Sequence, residues 1–150
     1  LGLLPSLVYQ TESLVLDQEL SATSFTSALP YPQRALLLPG PRTFAELNSS
    51  LYDGMHKYAV TFGRLQVPMG FDNLGDRDRY AAPYAQAQDT LQADDLAALS
   101  IDLLYVAPNL LTPLQKDLVQ TALAKGTIQP IFQSSGGARM IYQVTPHAAS

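Results

Sequence analysis

The chain has 150 residues, with 9 Lys and Arg against 13 Asp and Glu for a formal net charge of −4, 2 His and no Cys. The absence of cysteine rules out thiol catalysis, thiolate zinc sites and disulfides, and a pI of about 4.9 gives no basis for nucleic-acid binding, which shows as a basic patch. A chain this long buries about 68–70% of its unfolded surface without a staple, and 47% hydrophobic against 15% charged residues suits one globular domain rather than a disordered polymer.

Leu1-Gly2-Leu3-Leu4-Pro5 opens the chain without an initiator Met, and the first basic residue is Arg34, so these residues are not expected to form a cleavable secretory signal. This beginning reads either as an ordinary apolar turn or as the end of a membrane span lying upstream, and the chain is expected to be a piece of something longer. It contains no run of about 18 apolar residues that would cross a membrane. Residues 6–20 (SLVYQTESLVLDQEL) place Leu7, Leu14 and Val15 at mixed spacing and predict a weak helix. Ser21–Pro32 (SATSFTSALPYP) is rich in Ser and Thr and closes on two prolines, which predicts an irregular lead-in. Residues 1–32 are accordingly read as a linker following a membrane segment, 33–146 as the folded domain and 147–150 as a tail.

Arg34–Leu38 (RALLL), stopped by Pro39-Gly40-Pro41, predicts a buried strand. Thr43 with Glu46 is a capping-box pattern, and Phe44, Leu47, Leu51 and Tyr52 follow at helical spacing as far as Gly54. Lys57–Phe62 (KYAVTF) carries the Tyr, Val, Thr and Phe of a strand. Gly63–Gln88 has no sustained period and predicts a long irregular excursion, ordered by Phe71, Tyr80 and Tyr84.

From Thr90, Leu91, Leu96 and Leu99 predict a short helix with Asp94 and Asp95 in its first turn, where negative charge is favourable to the helix dipole. Ile101–Ala107 (IDLLYVA) then predicts a strand ended by Pro108. Thr112 caps a further helix with Pro113 at its first position and Lys125-Gly126 at its end. Ile128–Gln133, the Ser134-Ser135-Gly136-Gly137 turn and Ala138–Val144 predict a β-hairpin, with Pro130 placing its strand at an edge or at a bulge. Strands alternating with helices predict an α/β fold: a small, mostly parallel, Rossmann-like sheet with crossover helices and a C-terminal antiparallel hairpin.

Candidate chemistry is sparse. His56 and His147 are the only histidines and read as surface residues. No G-x-S-x-G elbow is present, and the Ser134–Gly137 glycines belong to a turn. Pro39-Gly40-Pro41 lacks both the G-x-G-x-x-G pattern and a Walker lysine. Asp72, Asp76 and Asp78 alternate with Arg77 and Arg79, and neither they nor Asp94 and Asp95 follow a calcium-loop spacing, so local ion pairing is the preferred reading. Asn48-Ser49-Ser50 is formally a glycosylation sequon inside a predicted helix. The unusual segment is Gly63-Arg64-Leu65-Gln66-Val67-Pro68-Met69-Gly70-Phe71-Asp72 with Arg77-Asp78-Arg79-Tyr80. Arg64, Arg77 and Arg79, with Asp72 and Tyr80, are the candidate contacts for a carboxylate, a phosphate or a sugar, since the planar guanidinium fork suits such groups; a loop held by Arg–Asp pairs is the competing reading. No catalytic set, metal site or cofactor is expected.

The order of Tyr58-Ala59-Val60-Thr61-Phe62-Gly63-Arg64, Met69-Gly70-Phe71, Arg77, Leu99–Val106 (LSIDLLYV), Ile131-Phe132-Gln133 and Met140–Val144 (MIYQV) resembles the C-terminal extracytoplasmic soluble domain of bacterial polytopic membrane glycosyltransferases of the GT-C type. The resemblance covers about residues 30–145. It implies that transfer of a lipid-linked sugar takes place in membrane-embedded loops outside this chain. This domain would then be a noncatalytic accessory on the extracytoplasmic face of the membrane, with the membrane-embedded remainder as its partner, shaping a sugar or lipid-linked substrate site. Two other readings stand beside it: a free-standing interaction subunit docking through Ser21–Pro32, and a small sugar- or nucleotide-processing enzyme with an acid/base pair in the Gly63–Arg79 loop.

Overall fold

The computed structural model describes residues 3–30, 32–40, 58–68 and 77–145, with the side chains of 3–14 and 77–81 excepted. In chain order its elements are helix α1 (Leu3–Ser27), strand β1 (Ala35–Leu38), helix α2 (Arg77–Thr90), helix α3 (Ala93–Ala98), strand β2 (Leu103–Val106), helix α4 (Pro113–Ala124), and strands β3 (Ile128–Gln133) and β4 (Met140–Val144). A 3-10 turn, Pro108–Leu110, links β2 to α4. The helix expected over Thr43–Gly54, the sequon at Asn48, His56 and His147 lie outside the described residues.

The four strands form one sheet in the order β1-β2-β4-β3. β1 runs parallel to β2, with Ala35 opposite Leu103 and Leu38 opposite Val106; β2 and β4, and β4 and β3, are antiparallel. The sheet is therefore mixed, and the expectation of a mostly parallel Rossmann-like sheet is corrected: one of the three pairings is parallel. The physical reason lies at residues 57–62. The expected strand there is a helical turn over 58–61, with Tyr58 and Phe62 stacked at 5.3 Å and the Phe62 and Gly63 amides both donating to the Tyr58 carbonyl. Without that strand, the one parallel pairing between strands among the described residues is β1 with β2, beside an isolated parallel bridge of Arg34 with Gln66.

Period-two alternation gives the sheet two apolar faces. Leu36, Leu38, Leu104, Val106 and Tyr142 pack on one side with Tyr84, Ala87 and Leu91 from α2 and its exit, Leu96 of α3, and Val119 and Ala122 of α4. Ala35, Leu37, Leu103, Tyr105 and Ile141 pack on the other with Ala22 of α1, Ala59 and Leu65. β1 and β2 are buried at all their residues because both faces are covered. Each fully buried leucine contributes about 1.5–3 kcal/mol relative to an exposed one, so the adjacent β1–β2 pair is the centre of stability.

Two further expectations are corrected. Residues 21–27 are not irregular lead-in but the last turns of α1, with Ala22, Thr23 and Thr26 buried. The hydroxyls that weaken helix propensity turn back onto helix carbonyls, Thr23 Oγ1 to Glu19 and Leu20 and Ser27 Oγ to Ser24. Within the excursion expected over 63–88, residues 77–88 belong to α2, which accommodates the exposed Pro83 in its interior.

The remaining elements follow their local chemistry. Thr112 and Gln115 form a complete capping box with Pro113 at the first helical position of α4. α4 ends in a Schellman turn: the Gly126 amide donates to Leu123 and the Thr127 amide to Ala122, with Gly126 at φ 76°. α3 ends the same way, the Ser100 amide donating to Ala97 and the Ile101 amide to Leu96, but with Ser100 in the left-handed position at φ 54°. Pro130 lies in the edge strand β3 next to a register shift between Pro130 and Phe132.

Candidate functional site

Polar chemistry concentrates where α1 crosses the β3–β4 hairpin. Glu19 of α1, 4% exposed, meets Arg139 at the entry to β4, 6% exposed. The Arg139 guanidinium donates to Glu19 Oε2 through Nε at 2.7 Å and approaches it through Nη2 at 2.5 Å. Tyr105 of β2 donates its hydroxyl to Glu19 Oε1, and Arg139 Nη1 donates to the Ala138 carbonyl at 2.8 Å. Burial and then the neighbouring Glu19 carboxylate push the Tyr105 phenol well above its ordinary pKa, with the Arg139 guanidinium opposing them. Every carboxylate oxygen of Glu19 is thus engaged and shielded from solvent, so the cluster can hold elements together but offers nothing to a substrate.

Gln18, one residue earlier, extends the same contact. Its Oε1 accepts from the Ser134 hydroxyl at 2.8 Å and from the Ala138 amide at 2.6 Å, while Ser134 Oγ accepts from the Arg139 amide at 3.0 Å. The Ser134–Gly137 turn, recognisable in the sequence as turn chemistry with Gly137 at φ 76°, is therefore also the seat of α1.

A second polar set closes the outer edge of β1. Gln66 exchanges backbone bonds with Gln33 and Ala35 on that edge, both at 2.8 Å. The Leu37 amide donates to Tyr84 Oη at 2.8 Å, and Gln88 Nε2 donates to the Leu37 carbonyl at 2.9 Å. Burial raises the Tyr84 phenol above its ordinary pKa. Gln88 Oε1 is buried without a hydrogen-bond partner among the described residues.

A surface concavity of about 360 Å³ lies between the α2–α3 joint and the end of α4. Its polar rim includes Thr90, Gln92, Asp94, Thr121, Lys125 and Thr127. Beside it Thr90 Oγ1 donates to Asp95 Oδ2 at 2.5 Å and Gln86 Nε2 to Asp95 Oδ1 at 3.0 Å, so the Asp95 carboxylate is occupied by local bonds. Among the described residues no group of three or more His, Asp or Glu could hold a metal ion.

Compared with protein-family models, curated proteins and solved structures, the chain matches none.

The anion-binding candidates are only partly described. Arg64 is exposed and left-handed at φ 57°, with Nη1 3.4 Å from the Ser27 carbonyl; it lies near the end of α1 and away from the buried cluster. Arg77, Arg79 and Tyr80 occupy the first turn of α2, their side chains lying outside the described residues, as does Asp72. Arg34, which was not singled out, is tied down: its amide donates to Asp102 Oδ2 at 3.0 Å and its Nε to the Leu99 carbonyl at 2.8 Å. Glu19 and Arg139 escaped sequence reasoning because they are 120 positions apart; the signal available was an arginine placed directly against the apolar run Met140-Ile141-Tyr142.

Proposed function

We propose that this chain is a noncatalytic accessory domain of a larger membrane glycosyltransferase-like protein, standing on the extracytoplasmic face and helping to shape a sugar or lipid-linked substrate site or to bind a partner. The observation that supports this reading is α1. It runs for 25 residues, about 37 Å at 1.5 Å per residue, whereas the strands beneath have 4 to 6 residues and span about 13–20 Å. Among its described side chains, the first that bonds to the β3–β4 hairpin is Gln18. The preceding stretch, residues 3–16, contains one charge, Glu12, among seven Leu and Val. No helix among the described residues is long and apolar enough to cross a membrane; α1 suits a rigid connector between this domain and an apolar neighbour. The strands that carry the resemblance, Leu103–Val106 and Met140–Val144, are also direct neighbours in the sheet.

The test is the topology of the natural protein. With an epitope tag after Ser150, protease added to spheroplasts should remove the tag while a cytoplasmic control survives. A tag cut only after lysis, or a natural reading frame without apolar spans upstream of Leu1, overturns the reading. Alanine replacement of Arg64, Arg77 and Arg79 together should then lower sugar transfer by the parent protein several-fold, and unchanged transfer would remove these arginines from the substrate site.

A further inference from the structure

Helix α1 docks by an uncommon face. Among its described side chains, those it buries are Glu19, Ala22, Thr23 and Thr26, while Leu16 and Leu20 are each 40% exposed. Its apolar contact with the sheet comes from Ala22 and from Phe25, which stacks on Phe132 of β3 at 4.9 Å, and the polar atoms around that contact add directional constraints on the axial position of the helix.

They do so at two points, each built around a glycine. At the hairpin turn Gln18 fills the space that a side chain at residue 136 would need: a Cβ on Gly136 would lie 2.4 Å from the Gln18 amide nitrogen. Eight residues along the helix, Thr26 Oγ1 donates to the Gly63 carbonyl at 2.8 Å, and a Cβ on Gly63 would lie 2.7 Å from that hydroxyl. Eight residues correspond to about 12 Å along the axis. Between these points Glu19 meets Arg139 and Tyr105. Slipping α1 by one turn, about 5.4 Å, would take Gln18 out of the hairpin and leave Glu19 and Arg139 buried without each other, which is strongly unfavourable.

We propose that the Gln18–Gly136 and Thr26–Gly63 contacts and the Glu19–Arg139–Tyr105 cluster form a register lock that holds α1 at one axial position on the sheet, and that this role is specificity rather than net stability. Buried ion pairs replaced as a whole by apolar residues of similar size often leave stability unchanged; what such a replacement removes here is the preference for one register. The lock stands independently of the membrane reading, since it concerns only elements within the chain.

The absence of native cysteine makes the test direct. Cysteines introduced at the exposed positions Ser24 on α1 and Gln129 on β3 carry spin labels, and their separation is read by pulsed electron resonance. In the triple variant Glu19→Met, Tyr105→Phe, Arg139→Leu, thermal unfolding should stay cooperative with Tm within a few degrees of the parent, while the distance distribution broadens or gains a component displaced by up to about 5 Å. A parent-like narrow distribution overturns the proposal, and so does a triple variant that no longer folds, because the cluster would then be required for stability. Gly136→Ala leaves the buried charges untouched and displaces the flexible end of Gln18; the distance distribution should broaden as the Gln18 bonds to Ser134 and Ala138 are lost, and a parent-like distribution in that variant also overturns the lock.

Discussion

Tyr84 is fully buried, yet its oxygen is the acceptor for the Leu37 amide on the open side of β1. Tyr84→Phe keeps the ring packing and orphans that amide, so it should cost about 1–3 kcal/mol in urea unfolding at neutral pH. Glu19→Ala is expected to cost more, about 3–5 kcal/mol, because it strands the Arg139 guanidinium inside the protein. The difference between Glu19→Ala and the apolar triple variant separates the penalty of a broken pair from the small net value of the intact one. None of this was legible residue by residue: Glu19 sits in a polar stretch of α1, and its partners come from β2 and from the hairpin, 86 and 120 positions away.

At the scale of elements, legibility tracked whether the local chemistry was self-contained. α4 could be read from its ends because Thr112, Gln115, Pro113 and Gly126 satisfy the helix termini without help from elsewhere. Gly126 has open space around its Cβ position, so Gly126→Ala isolates the left-handed backbone cost and should lose about 1 kcal/mol in thermal unfolding. The mirror change, Ser100→Gly at the equivalent position after α3, should gain about 0.5–1 kcal/mol by the same measurement. α2 was illegible for a specific reason. Its buried positions Tyr84, Ala87 and Gln88, with Leu91 just beyond, recur at the intervals of a helix, but one is Ala and one is Gln, so the pattern carries no hydrophobic period. Residues 57–62 misled in the opposite sense. Tyr, Val, Thr and Phe favour strands, yet Thr26 holds the Gly63 carbonyl from α1 and Tyr58 stacks on Phe62 one turn later, so one tertiary bond and one local stack overrode propensity.

For the molecule as a whole, buried phenols contribute to its behaviour in alkali, Tyr84 and Tyr105 foremost and the partly buried Tyr142 beside them, its phenol also raised by burial. Burial raises Tyr84 and Tyr105 in the folded state, with Glu19 adding to the shift at Tyr105. A raised folded pKa means the native state holds its proton more tightly than the unfolded chain. The stability this contributes is complete below the ordinary phenol pKa, about 10, and is lost as pH rises above it. Denaturant unfolding should therefore show stability falling beyond about pH 10 by up to about 1.4 kcal/mol per pH unit for each tyrosine. Tyr84→Phe should flatten that fall relative to its own neutral-pH value, and an unchanged slope would remove Tyr84 as a source. The fold class was readable at this scale because strands and helices announce themselves separately. The sheet's mixed character was not, because it depended on the single segment that failed to become a strand.

The closure of β1 has a wider consequence. Gln66, Tyr84 and Gln88 engage the Gln33 carbonyl, the Ala35 amide and both Leu37 backbone groups along its outer side, so a foreign strand would have to displace them. At the opposite edge among the described residues, Pro130 of β3 and the adjacent register shift interrupt a regular ladder. Strand exchange between crowded copies is therefore disfavoured at both of these edges.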